Sequence, residues 1–390
     1  TEPFAGFVFK TVADPYAGRL SIFRVVSGTL GGDGTFYNVN KEAKERYNQL
    51  LTLAGKEQKP VSKAGPGAIV AVAKLKETAT GDSLGDESAK IKFSSAEPMP
   101  ALISYALEAK SKGEEDKIFI SLTKLLEEDP ALKLDRNAET KEILLSGSGQ
   151  IHIETVIEKL KRKFNVEVLL NIPKVPYRET IKKKVRVQGK HKKQTGGHGQ
   201  FGDCWIQIEP LPRGKGFEFV DAIVGGAIPK TYIQAVEKGV VEACRKGVLA
   251  GYPCIDFKVT LDDGSFHAVD SSEMDFKIAG SLAYRKAAAE AMPTLLEPIM
   301  DVTITTPDEY MGDIMGDLNG RRGRVLGMDS AGKNQVIKAQ VPMAEFLTYA
   351  LDLRAMTGGR GIYTMIFSHY DEVPAQISEK IVEEAHKNNE

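Results

Sequence analysis

The sequence predicts a multidomain α+β chain: a small β-barrel, a β-α-β-β-α-β unit, a strand-and-helix module, and a second β-α-β-β-α-β unit. Three observations carry this. At 390 residues the chain is too long for one core, since domains run to roughly 100–200 residues. Short β-rich runs broken by turn residues fill its first quarter. Two later stretches share one order of strand and helix periodicities without sharing residues, which is an internal repeat of pattern.

Residues 1–97 read as the barrel: FAGFVFK, RLSIFRVVSGTL and AIVAVAKL are strand-like, with turns at Gly31-Gly32-Asp33-Gly34 and Gly65-Pro66-Gly67. Residues 98–172 read as a ferredoxin-like unit. MPALISYALEA is its first strand, Ile118, Leu122 and Leu125 fall at helical spacing before Pro130, and ALKLDR and EILLSGSG are strands about a turn at 137–140. Gly149 then precedes a helix with Ile153, Val156, Ile157, Leu160 and Phe164 on one face, and VEVLLNIP closes the unit. Residues 173–295 hold strands KKVRVQG and CWIQIEPL across a glycine-rich segment, then a helix over 230–249 with Ile233, Val236 and Val240 in phase. The strand CIDFKVTL and the turn DDGSFHAVDSSE follow, and a helix begins near Ser272, where Ser271 or Ser272 with Glu273 has the chemistry of a helix start. Residues 296–390 repeat the ferredoxin-like order. The strand PIMDVTITTP, the helix YMGDIMGDLNGRRG and the strands RVLGMD and QVIKAQVPM come first. One helix AEFLTYALDLRAM with Phe346, Ala350 and Leu353 on a face, the strand GIYTMIFSHY and a C-terminal helix complete it.

With 42% hydrophobic and 27% charged residues, and no apolar run near the roughly 18 residues that span a bilayer, the composition is that of a soluble globular protein with no membrane role. The opening TEPFAGFVFK is no secretory signal, and its start at the edge of a strand-like run suggests a piece of something larger. Cys204, Cys244 and Cys254 form no C-x-x-C pair, which argues for a reducing, cytoplasmic setting. The formal charge of −1 averages over local fields: from Ile181 to Gln200 there are seven Lys or Arg and no acid.

A phosphate-gripping loop needs G-x-x-x-x-G-K-[ST], in which backbone N–H groups and the lysine hold phosphates while the hydroxyl holds Mg²⁺. The Gly-Lys pairs at Gly55, Gly189, Gly214 and Gly332 are followed by Glu, His, Gly and Asn, so no nucleotide hydrolysis by this chain alone is expected. A hydrolase built on Ser281 or His267 lacks G-x-S-x-G and a partner spacing. His191, His198, His267 and Cys204 offer a tetrahedral zinc set on a poor scaffold, with exposed polar loop residues as the plainer reading. An RNA contact explains more of GKHKKQTGGHGQFG at 189–202. Lys190, Lys192 and Lys193 can approach phosphates, Gly196 and Gly197 let the backbone come close, and Gln194, Thr195, His198 and Gln200 can meet bases or 2′-hydroxyls. A solvated hairpin is the alternative for any one basic loop. The turn carrying His267, Asp270 and Ser271 would complete a polar tip if it lay alongside. Arg321, Arg322 and Arg324 either touch phosphate or favour the dipole at the end of the preceding helix.

VPYRETI at 175–181, KHKKQTGGHGQFGD, GKGFEFVDAIVGGAIPKTYIQAVEKG, GVLAGYPCIDFKVTLDDGSFHAVDSSEMDFKIA, LLEPIMDVTITTPDEYMGDIMGDLNGRRGRVLGM and HYDEVP closely resemble bacterial elongation factor G. DPYAGRLSIFRVVSG, ATGDSL, GSGQIHIE and KRKFNVEV look like its second and third domains, so the resemblance spans essentially the whole chain. It implies that 173–295 is a ribosomal-protein-like β-α-β tip domain between barrel and ferredoxin-like neighbours. It also implies a GTP-binding domain ahead of residue 1 that would hold GTP and Mg, with no cofactor on this chain. The implied partners are both ribosomal subunits, ribosomal RNA, tRNA and mRNA, for a cytoplasmic monomer. The implied mechanism couples GTP hydrolysis in that other domain to translocation. Tip loops Gln194–Gln200 and Ser265–Ser271 would enter the decoding centre, with His267 at the codon–anticodon duplex; Arg321 and Arg322 would face the large subunit. His198 stands where the family usually has Arg, exchanging a permanent charge for a group titrating near neutrality, and GSGQIHIE replaces the usual GMGELHL-type run. Both fit a paralogue with a recycling or other duty as well as a main factor. A ribosomal protection factor would carry a more apolar, proline-containing tip. A generic RNA-binding module would show a steep salt slope without ribosome preference, and a metal enzyme would carry zinc.

Overall fold

The structure is a computed structural model and describes residues 2–14, 18–55, 57–111, 113–137, 139–194 and 199–389. Two compact units result: residues 1–174 with 347–352, and residues 175–346 with 353–390.

The first unit begins with ten strands: β1 (Ala5–Asp14), β2 (Gly18–Ser27), β3 (Leu30–Gly31), β4 (Gly34–Asn38), β5 (Ala43–Tyr47), β6 (Leu50–Ala54), β7 (Glu57–Val61), β8 (Lys63–Ala64), β9 (Ile69–Ala73) and β10 (Ser83–Gly85). Eight of them form one curled sheet in the order β5-β4-β10-β1-β2-β9-β6-β7, and β3 pairs with β8. Val8, Phe23, Val25, Leu50 and Leu84 are fully buried on one face, and Phe36 stacks on Tyr47 with centroids 5.3 Å apart. Glu45 fixes the segment after β9. Burial alone would raise its carboxyl, but N–H donors of Lys76, Glu77 and Thr78 and the Thr78 hydroxyl outweigh this and hold it below the ordinary carboxylate range.

The unit continues with β11 (Ile103–Ala109), α1 (Glu115–Glu128), β12 (Lys133–Arg136), β13 (Ile143–Gly147), α2 (Gln150–Phe164) and β14 (Val168–Asn171). The sheet order is β12-β13-β11-β14, antiparallel throughout. Ile118, Leu122 and Leu125 of α1 and Ile153, Val156 and Leu160 of α2 are buried in its core, as their spacing requires. The first strand starts at Ile103 rather than Met99, because Pro98 and Pro100 have no N–H for a ladder.

The second unit holds β15 (Arg178–Ile181), β16 (Val185–Lys193), β17 (Gln200–Pro210), β18 (Phe217–Asp221), α3 (Lys230–Cys244), β19 (Phe257–Ser265) and α4 (Glu273–Glu290). After these come β20 (Pro293–Pro307), α5 (Met311–Gly320), β21 (Arg324–Ala331), β22 (Asn334–Pro342), α6 (Met343–Phe346), α7 (Tyr349–Thr357, of which 349–352 count with the first unit), β23 (Ile362–Glu372) and α8 (Ala375–Asn389). The order β21-β22-β20-β23 repeats the strand order of the first unit's smaller sheet. Three sequence expectations change. The segment AEFLTYALDLRAM is two helices, broken at Leu347 and Thr348, where a β-branched residue of low helix propensity sits. β20 begins at Pro293, so the boundary at 295 falls inside a strand; its first residues pair with β15, which joins the C-terminal sheet. α3 ends at Cys244 rather than near 249, because the amides of Val248, Leu249, Ala250 and Tyr252 all donate to the buried carboxylate of Glu179 at 2.6–3.1 Å. Gly247 (φ +56) makes that turn, and a Cβ there would lie 2.3 Å from Glu179 Oε1.

Candidate nucleic-acid interface

The basic segment is a hairpin arm. β16 pairs with β17 from Val185 opposite Ile208 to Lys193 opposite Gln200, in a sheet of order β16-β17-β19-β18. Cys204, Ile206 and Ile208 point into a core shared with Val236 and Val240 of α3 and Phe276, Ala279 and Ala283 of α4. Two glycines of the motif serve this packing. A Cβ on Gly189 would lie 2.2 Å from Ala279 O, and one on Gly202 would lie 2.5 Å from Asp275 O. They let the strands approach α4, so they are not a phosphate cradle. α4 starts with a capping box in which Ser272 and Asp275 exchange bonds; the partner is Asp275 rather than Glu273.

The structure brings the two predicted loops together. Gly199 N–H donates to Asp270 Oδ1 at 2.9 Å and Phe201 N–H to Asp270 O at 2.9 Å. Ser271 Oγ donates to Phe201 O at 2.8 Å and accepts from His267 N–H at 2.8 Å. Asp270 and Ser271, predicted as contact residues, are therefore the stitches between loops. His267 is exposed over more than half of its side chain, and its Nδ1 lies 3.2 Å from both Asp270 Oδ2 and Asp270 N. Protonated at Nδ1, it pairs with the carboxylate; unprotonated there, it accepts the amide. Phe266, beside it, is 45% exposed and meets Tyr232 edge to face. Lys190, Lys192, Lys193, Gln194 and Gln200 are exposed. Among the described residues, none of the three lysines has an acidic partner; Lys190 Nζ sits 5.8 Å from the centre of the Phe201 ring. Thr195, Gly196, Gly197 and His198 lie outside the described residues.

Arg321 and Arg322 are placed differently. They form the end of α5 in a Schellman turn: Gly323 N–H donates to Leu318 O at 2.7 Å and Arg322 N–H to Asn319 O at 3.2 Å. Arg322 takes the left-handed position (φ +59). Its guanidinium makes a bidentate pair with buried Glu297, at 2.5 and 2.9 Å, and reaches Glu345 at 3.1 Å. Arg321 donates to Asp317 Oδ2 and to Glu345 O, each at 2.8 Å. Both guanidiniums are thus held by their own chain.

The enzymatic alternatives find little geometry. Burial pushes the Cys204 thiol up to about 12, and Cys204 faces α4 rather than the loops. Among the described residues no three His, Cys, Asp or Glu side chains are arranged to hold a metal ion. One Ser-His-Asp chain that the sequence reading missed does occur: Ser148 Oγ lies 3.0 Å from His152 Nδ1, and His152 Nε2 lies 2.8 Å from Asp129. Ser148 N–H also points at Nδ1 (3.2 Å), taking the lone pair a general base would use. The chain fastens the first turn of α2, whose Gly149 cap has no side chain to do so.

Sequence models of four consecutive elongation factor G segments match: domain 2 over 3–87, domain III over 98–172, domain IV over 173–292 and the C-terminus over 294–381. Among solved structures, the crystal structure of a protein from Thermus thermophilus is similar, with 42% identity and a TM-score of 0.83. The match covers 99% of this chain and 58% of that one, so this chain spans less than two thirds of that relative's length.

Proposed function

Because this chain belongs to the elongation factor G family of translation factors, we propose that it is the ribosome-acting body of a factor that promotes translocation of tRNA and mRNA. The barrel, two ferredoxin-like domains and ribosomal-protein-like tip domain are the reading of the four matched segments. On this reading nucleotide hydrolysis falls to a GTP- and Mg-binding domain outside this sequence, and G-x-x-x-x-G-K-[ST] does not occur in these 390 residues. The cytoplasm is the setting, and ribosomal RNA, tRNA and mRNA are the partners. The observation that carries the reading is the paired tip: a hairpin arm with three unneutralised lysines on β16, whose returning side at Gly199 and Phe201 is bonded through Asp270 and Ser271 to a turn that exposes His267. Such a tip offers mobile cations for phosphates and a donor–acceptor ring for base edges or 2′-hydroxyls.

The test is pre-steady-state translocation by the full-length protein with Lys190, Lys192 and Lys193 changed together to Glu. Translocation is expected to be abolished while ribosome-stimulated GTP hydrolysis persists. Translocation at the unaltered rate would refute the tip assignment.

A further inference from the structure

We propose that the open face of the β16-β17-β19-β18 sheet is a platform for single-stranded RNA, with Trp205 and Arg186 as its stacking pair. Along β17, Cys204 and Ile206 are buried towards the helices, so Phe201, Asp203 and Trp205 alternate onto the other face. The Arg186 guanidinium lies 4.6 Å from the centre of the Trp205 ring. Two bonds to Asp262 fix it there, Nε to Oδ2 at 2.8 Å and Nη2 to Oδ1 at 3.0 Å. A guanidinium fixed over an indole makes a composite surface on which a base can stack. Arg186 keeps 45% of its side chain exposed, so it can be reached from solvent.

The arrangement recurs towards the tip. Phe201 lies four residues along the same strand face, ~13 Å away for an extended chain, under Lys190. Lys192 is opposite Phe201 in the ladder. The acid between the two rings is engaged: Gln188 Nε2 and Ser265 Oγ donate to the two carboxylate oxygens of Asp203, each at 2.8 Å. Rings roofed by cations suit an anionic polymer with exposed base faces better than an apolar peptide. A duplex hides those faces, so the strand must be unpaired. The proposal rests on the RNA-facing reading of this module but on other residues than its loops.

Trp205 is the chain's one tryptophan, so its emission reports this face alone. The 390-residue chain is titrated at low salt with an eight-nucleotide oligouridylate and with an RNA duplex of equal length. Binding is followed by Trp205 emission and by anisotropy of a labelled strand. The single strand is expected to quench Trp205 and the duplex to leave it unchanged. Arg186→Lys keeps the charge and loses the plane, and is expected to weaken single-strand binding about tenfold with no change in melting temperature; Trp205→Ala is expected to match it. No single-strand binding, binding without quenching, or unaltered affinity in Arg186→Lys would each overturn the platform. If the triple lysine-to-glutamate variant loses translocation while the single strand does not quench Trp205 in the unaltered chain, the platform fails and the tip reading stands. Quenching that persists where that variant translocates normally has the reverse meaning.

Discussion

Two cation clusters in the second unit look alike as sequence and differ in state. GRRG at 320–323 and KHKK at 190–193 are both short, basic and next to glycine. In the first, Arg322 is bidentate on Glu297 and Arg321 is held by Asp317 and Glu345 O. In the second, no acid pairs with the lysines among the described residues. The difference teaches that two stretches alike in sequence can end in different states, one neutralised by the fold's own acids and the other left without one among the described residues. The arginines act on their own chain, and the lysines are available to another molecule.

The comparison breaks most visibly at Arg322. Arg322→Met leaves the Glu297 carboxylate, only 2% exposed as a residue, without its partner. Removing one member of a buried pair costs about 3–5 kcal/mol, read as a shift in the urea midpoint by circular dichroism. Arg322→Met with Glu297→Met is expected to recover much of that loss. A single variant that unfolds at the parental midpoint would show that the arginine is not structural. Arg321→Ala follows, with about 1–2 kcal/mol for a charge-assisted bond network whose acid, Asp317, is more exposed than Glu297.

Asp270→Ala sharpens the comparison from the other side. Removing an acid from the tip should strengthen RNA binding if charge alone decides. Asp270 also accepts from Gly199 N–H, and its backbone oxygen accepts from Phe201 N–H, so losing the carboxylate loosens the loops. The expectation is a stability loss of about 1 kcal/mol and weaker oligoribonucleotide binding. Tighter binding would show that the stitch does not matter.

Much of this was legible because it is local. The faces of α1 and α2 follow from a 3.6-residue period, and both copies of the β-α-β-β-α-β order follow from alternating periodicities. The rest required residues far apart in the chain. Glu297 and Glu345 lie 25 and 23 positions from Arg322, and Glu179 ends the α3 segment from about 70 positions away. β15 is read with the tip domain by proximity, yet its partner strand is β20. Within the candidate site, the exposure of the lysines was readable from an acid-free run, whereas the bonding roles of Asp270 and Ser271 depend on two turns about 70 residues apart. The Arg186–Trp205 stack had no local signal, since it joins two strands through their register.

The smallest stability effect is expected where the binding effect is large. Lys190, Lys192 and Lys193 changed to Glu reverse three exposed charges that bond to no acid among the described residues. Surface changes of this kind stay within about 0.5 kcal/mol, so thermal melting should be nearly unmoved. Each lysine that touches a phosphate releases a counterion, and losing three contacts on a single strand lowers the slope of log affinity against log salt by roughly 2. A melting temperature that falls as far as in Arg322→Met would place these lysines with the arginines as structural cations. An unchanged salt slope would mean that they meet no phosphate.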